Sequence, residues 1–225
     1  MKYAKLRNAW RIRRTLADWR GQKTLRADPD LWRGLGPILD KSASRGCSFH
    51  QLATLYRHVV ETRPAEVLEL GCGISTIVLG YAAKRVRAEG QPCRITSMEE
   101  DAFYHGDLSR LLPDDIRPCV DLILSPTEDR CIEGRIGRFY RDKPERPYTM
   151  LFIDGPRVPE ANTDSRYFDG DILDAMAWTN GSLTAFVDGR YHVASAIRHL
   201  APLARIECDR AHKFTRISMM PATLP

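Results

Sequence analysis

Residues 67–76 read VLELGCGIST, and most side chains in that run bear on chemistry. Glu69 sets a carboxylate two residues before Gly71, Gly71 and Gly73 stand one residue apart, and Ser75 and Thr76 add hydroxyls. Glycines so spaced let the backbone turn tightly and approach a ligand with no Cβ in the way. The hydroxyls can cap the helix that starts there. Such a turn at the carboxyl end of a buried strand is where α/β proteins bind nucleotide-like ligands. A dinucleotide loop would read G-x-G-x-x-G, with the pyrophosphate on the helix N-terminus, but the third glycine position is Thr76. No Gly-Lys-Ser/Thr follows, so the P-loop pattern fails too. A carboxylate at Glu69 repels phosphate and suits a cationic or amino-bearing ligand.

Further candidates sit where later strands should end. Glu99, in SMEED, can accept hydrogen bonds from both ribose hydroxyls of a nucleoside; the bland alternative is a solvated acidic helix start. Asp154 in FIDGP is a carboxylate over a cleft, or an Asp-Gly turn bonded to its own backbone. Asp188 ends VDGR, and His192 follows as a candidate general base for a hydroxyl or amine. Arg157, Arg166 and Tyr167 could bind an anionic substrate or pair with the acids between them. Ser125 is either a pocket residue or an ordinary turn residue. Spacing identifies no partners for His50, His58, His105, His199 or His212. Trp178, Met176, Met219 and Met220 are assigned to core or interface.

These groups need a parallel sheet to bring them together. Apolar strands are expected at 67–70, 93–100, 119–125, 148–156 and 182–190, alternating with helices at 76–87, 103–112, 165–178 and 191–200. That alternation argues an α/β fold. ARIECD and KFTRISMMP, three residues apart, read as a closing antiparallel pair. The polar stretch 128–147 carries a short helix at most, and its IEGR run is read as coincidence. Upstream, Ser48 caps a helix to Thr62, a helix from Pro29 to about Ser44 is interrupted near Gly34–Pro37, and residues 1–27 are helix-compatible but loosened by Gly21.

The run E-L-G-C-G-I-S, with Glu99, Asp154 and the final hairpin, resembles class I S-adenosylmethionine-dependent methyltransferases, whose motif I reads E/D-x-G-x-G-x-S/T. The IDGP…RY pattern is similar to that of a group of small bacterial members. The resemblance covers about residues 60–221. It implies a Rossmann-like seven-stranded sheet, mostly parallel with the last strand antiparallel, and S-adenosylmethionine as cofactor. It places Glu69, Gly71, Cys72, Gly73, Ser75, Thr76, Glu99, Ser125 and Asp154 around that cofactor. Asp154, Asp188 and His192 become the candidate catalytic groups, and Arg157, Arg166 and Tyr167 the candidate substrate-binding ones. Two strand-end aspartates are also found in metal-dependent catechol-type O-methyltransferases, but Gly189 and Arg190 stand where an acid or amide ligand would follow, so no metal is expected. The implied activity is O-methylation of a small molecule or sugar. Rivals are a non-catalytic scaffold keeping the fold, and aminopropyl transfer, for which DGPR lacks the second acid of a D-x-x-D set.

Bulk properties fit a globular protein of 225 residues with six cysteines lacking metal or disulfide spacing. A cytoplasmic location is expected. The net charge of +5 is uneven, since residues 1–27 hold nine Lys/Arg against Asp18 and the remainder sums to −3. Two units are expected, a basic helical extension at 1–45 and the cofactor-binding domain at 46–225. The arm admits packing on the domain or on a twin subunit in a homodimer, or an interfacial helix on anionic membrane through Trp10 and Trp19. Nucleic acid is a weaker reading, with no RNA-binding motif.

Overall fold

Val67, Leu68 and Leu70 are fully buried in an interior strand, third in order, of a seven-stranded sheet. The computed structural model describes residues 2–41, 46–157 and 167–220, with residues 2–12 described by backbone only. In chain order the helices are α1 (Lys2–Arg26), α2 (Pro29–Lys41), α3 (Phe49–Thr62), α4 (Ile74–Ala88), α5 (Ala102–Leu111), α6 (Asp171–Trp178) and α7 (Tyr191–Leu200). The strands are β1 (Glu66–Leu70), β2 (Arg94–Glu99), β3 (Val120–Leu124), β4 (Thr127–Ile132), β5 (Arg135–Tyr140), β6 (Met150–Ile153), β7 (Tyr167–Asp169), β8 (Leu183–Asp188), β9 (Arg205–Asp209) and β10 (Phe214–Met219).

The large sheet runs β3-β2-β1-β6-β8-β10-β9. Strands β1, β2, β3, β6 and β8 pair in parallel, while β10 lies antiparallel between β8 and β9. This is the expected sheet, closing hairpin included. Because the chain leaves β1 toward β2 and β3 and then returns beside β1 as β6, the topological switch point falls between β1 and β6. A crevice opens there, outside the carboxyl ends of the strands. One sheet face packs against α3 and α4 and the other against α6 and α7.

Three local expectations are corrected. The stretch 128–147 is not helical, because β4 and β5 form a hairpin joined by Glu133-Gly134, with φ of 46° and 76°. Positive φ at both central residues matches the twist of paired strands, so IEGR is a turn. Tyr167–Asp169, expected to begin a helix, pairs in parallel with β5 and completes a small second sheet. The N-terminal helices are also unbroken. Helix α2 runs through Pro37, and Gly34 lets it lie on α4, since a Cβ there would sit 2.4 Å from the Tyr81 ring. In α1, Gly21 does not loosen the helix but lets it cross α3, a Cβ there falling 2.3 Å from the Phe49 carbonyl oxygen.

Leu25, Leu31, Leu35 and Ile38 are thus buried in the same core as Leu55, Val59 and Val78. Asp18, the one acid of the arm, accepts the His50 N–H at the start of α3. Met220, expected in core or interface, is 81% exposed. No helix among the described residues is long and apolar enough to cross a membrane.

Candidate active site

Strand alternation points Glu69 toward α4, where it is completely buried. Thr76 on α4 and Ser97, its register partner on β2, both donate to Glu69 Oε2 at 2.6 Å. Thr76 Oγ1 also accepts the Gly73 N–H at 3.0 Å, which locks the loop to the helix start. Among the described residues Glu69 Oε1 has no partner in hydrogen-bond geometry. Burial pushes the Glu69 pKa up to about 7, opposed by the hydroxyls of Ser75, Ser97 and Thr76.

That shift has a stability consequence. A carboxyl whose folded pKa lies above its unfolded value contributes stability that is complete below the unfolded pKa and is lost as pH rises through the folded one. Between a pKa of 4.5 and one of about 7, the loss amounts to about 3 kcal/mol. Glu69→Gln, neutral at every pH, is expected to lose less stability than wild type between pH 5 and 8. Urea unfolding at those two pH values measures the difference.

Gly71 has φ +89°, and a Cβ there would lie 2.9 Å from the Gly155 nitrogen. The glycine loop therefore closes onto the turn after β6, where the Asp154 N–H donates to the Leu70 carbonyl at 2.9 Å. Glu99, at the end of β2, takes the Cys72 N–H on Oε2 (3.1 Å) and the Asp101 N–H on Oε1 (2.9 Å). Each oxygen keeps lone-pair capacity for a further donor. Burial raises the Glu99 pKa. The acids of β1 and β2 and the glycine loop lie together in one constellation.

Asp154 is half-buried at the end of β6. Burial first and then the neighbouring Asp188 push its pKa up to about 7, with Arg190 opposing. Asp188 accepts a short hydrogen bond from Gln51 of α3, and burial raises its pKa too. Cys47 completes this corner, one atom each of Cys47, Asp154 and Asp188 lying within 4.8 Å of the others. Burial and the two aspartates keep the Cys47 thiol protonated by raising its pKa. A Cβ on Gly46 would reach 3.2 Å from Asp154 Oδ2, so the segment entering α3 lies across this carboxylate.

Arg190 proves central although sequence reasoning gave it no site role. It donates to the backbone carbonyls of Asp154 (2.5 Å) and Pro156 (2.7 Å) and to Asp169 Oδ1 (2.9 Å). Asp169, fully buried at the end of β7, also lies 3.3 Å from His192 Nε2. Arg190 thus ties Asp169 to the Asp154 turn, and His192 stands beside Asp169 although neither His192 Nε2 nor Asp169 Oδ2 has a hydrogen-bond partner among the described residues. Arg157 lies at the rim, its guanidinium on the Tyr104 ring and bonded to the Tyr104 hydroxyl at 3.0 Å.

Two expected site residues have their hydroxyls engaged by protein partners, while the Ser125 N–H donates to the Glu99 carbonyl at 2.9 Å. Ser125 is fully buried, donating to the Pro126 carbonyl and accepting the Asp142 N–H. Tyr167 is buried in the small sheet with its hydroxyl 3.2 Å from Asp129 Oδ2. Arg166 lies outside the described residues. Gln51, Cys47, Asp169 and Arg190 had no local signal, because they come from three separate parts of the chain, Cys47 and Gln51 from one of them.

No protein-family model matches this chain, and no curated protein matches it. Solved structures do. The chain is similar to the O-methyltransferase TomG from Streptomyces achromogenes, involved in tomaymycin synthesis and solved in complex with S-adenosylmethionine. The identity is 13% over 87% of this chain and 91% of that one, with a TM-score of 0.50. A methyltransferase from Geobacter sulfurreducens is 14% identical over 86% of this chain and 90% of that one, with a TM-score of 0.53. At such identities the likeness is one of fold, and the fold is that of S-adenosylmethionine-dependent methyltransferases.

Proposed function

We propose that this chain is an S-adenosylmethionine-dependent methyltransferase acting on an oxygen of a small molecule or sugar. One observation carries the reading: a glycine loop flanked by two buried carboxylates closes onto a third, Asp154, whose pKa is pushed up to about 7. The donor set fits the cofactor. Glu99 has lone pairs for ribose hydroxyls, and Glu69, buried behind the loop, is a carboxylate that suits a cation over a phosphate. Gly71 and Gly73 leave the backbone open to the ligand.

When bound, the cofactor supplies an electrophilic methyl group on a positive sulfur. The protein's part is to align the acceptor, exclude water and remove a proton where the acceptor arrives protonated. Asp154 supports that last role because a base works best with its pKa near the operating pH. Arg190 holds the Asp154 turn in place through two backbone carbonyls. Gln51 and Cys47 bring the N-terminal helical region to the acceptor side, beside Asp188. Calorimetric titration with S-adenosylmethionine tests the reading, and absence of binding to wild type would sink it.

We propose that the face of α1 turned away from α3 meets anionic membrane surface. Leu16 and Trp19 are 49% and 58% exposed on α1, among exposed Arg13, Arg14 and Arg20, the combination that suits an interfacial helix. Pelleting with phosphatidylserine vesicles is expected to fall in Trp19→Ala and in high salt. Unchanged pelleting, or a dimer whose mass falls with the same substitution, would turn the assignment toward a twin subunit.

A further inference from the structure

A second cluster of chemistry-bearing side chains lies across β8 from this cleft, between α3 and the β9–β10 turn. His50 is the second residue of α3, Asp209 ends β9, and His212 sits in the turn that follows. Asp209 Oδ1 accepts the N–H groups of Ala211 (3.0 Å) and His212 (3.2 Å), which fixes the turn. Its Oδ2 lies 2.7 Å from His212 Nδ1, which fixes the imidazole. The other ring nitrogen, His212 Nε2, is buried and has no hydrogen-bond partner among the described residues. The His50 ring stands beside it, the two centroids 4.2 Å apart. One ligand atom from each of the three residues lies within 4.8 Å of the others.

We propose that His50, His212 and Asp209 form a binding site for one divalent transition ion of the zinc class. Two imidazoles, one of them backed by a carboxylate, are donors such ions take, and two protein ligands leave room for water. The Asp209–His212 contact fits the orienting role, Asp209 accepting from the far ring nitrogen as carboxylates behind metal-bound histidines do, so that His212 Nε2 faces the ion. Space for the remaining ligands exists on the His50 side, where His50 and Asp209, though not His212, line a cavity of about 650 Å³. Its floor is Phe186 and Phe214, stacked at 5.4 Å. The cavity is distinct from the glycine-loop crevice, though the Gly189 N–H donates to the Lys213 carbonyl and so ties the turn to the end of β8. An ion here would pin the hairpin turn to α3.

The test uses the full, untagged chain titrated with Zn²⁺ by calorimetry and with Co²⁺ by visible absorption, both without cofactor. One ion per chain and a higher melting temperature are expected. Affinity should fall by about 10- to 100-fold in Asp209→Asn if the carboxylate acts from behind the ring, and further in His50→Ala. His212→Asn keeps a donor for Asp209 while removing Nε2, so loss of binding there, with an unchanged circular-dichroism spectrum, isolates the ligand from the fold. Cys47→Ser, which alters the other donor cluster, should leave the titration unchanged. The proposal is overturned by no saturable binding of either ion, by binding that survives both histidine substitutions, or by binding that Cys47→Ser abolishes.

Discussion

Asp154→Asn is expected to lower kcat for methyl transfer by about 10²- to 10⁴-fold while changing cofactor affinity far less. The amide keeps the shape and the polar contacts of the side chain and loses only the ability to take a proton. In wild type, burial and Asp188 set the Asp154 pKa at about 7. With Asp154 as the proposed base the active form is the deprotonated one, so kcat should rise with pH through about 7 and then level. The two aspartates titrate as a pair, and the inflection belongs to the pair. In Asp154→Asn that rising limb should vanish. A limb that survived would move the base to another group, and Asp188→Asn, which removes the neighbouring negative charge, should shift the wild-type inflection to lower pH. Rate profiles from pH 5.5 to 9 for the three proteins decide it.

The cofactor half of the site was legible because it is local. Glu69, Gly71, Gly73 and Thr76 fall within eight residues of one another, and strand and helix periods fix where each points. Glu99 and Asp154 were found for a similar reason, as acids ending apolar runs. The proposed acceptor half was hidden because it is not local. Cys47 and Gln51 come from the chain before β1, Asp169 from a three-residue strand, and Arg190 from the residue before α7, and only the fold sets them around Asp154.

The small sheet escaped for a different reason. Strands β4 and β5 carry charged residues on exposed faces, so TEDRCI and RIGRFY lack the apolar alternation by which a half-buried strand is recognised. Their Glu-Gly turn was visible as letters and not as geometry. In α1 and α2, Gly21 and Gly34 looked like breaks, whereas tertiary packing uses each glycine for a close crossing, which overrides local propensity.

Gly71→Ala is expected to abolish measurable cofactor binding and to destabilise the fold by two separable effects. The first is conformational: φ of +89° suits glycine and strains any L side chain, a cost of about 1–3 kcal/mol. The second is steric. The added methyl would lie 2.9 Å from the Gly155 nitrogen and 3.0 Å from the Asp154 carbonyl carbon, both backbone atoms that cannot swing aside. Overpacking of this kind adds about 1–3 kcal/mol more, and relief must come from moving the β6 turn, which carries Asp154. Gly90→Ala supplies the control, since Gly90 has a similar φ of +80° with nothing within 4 Å of the new methyl. It should show the conformational cost alone and bind the cofactor as wild type does. Urea unfolding and calorimetry on both variants separate the effects: equal destabilisation, or cofactor binding retained in Gly71→Ala, would mean that the close approach of the two turns does not build the site.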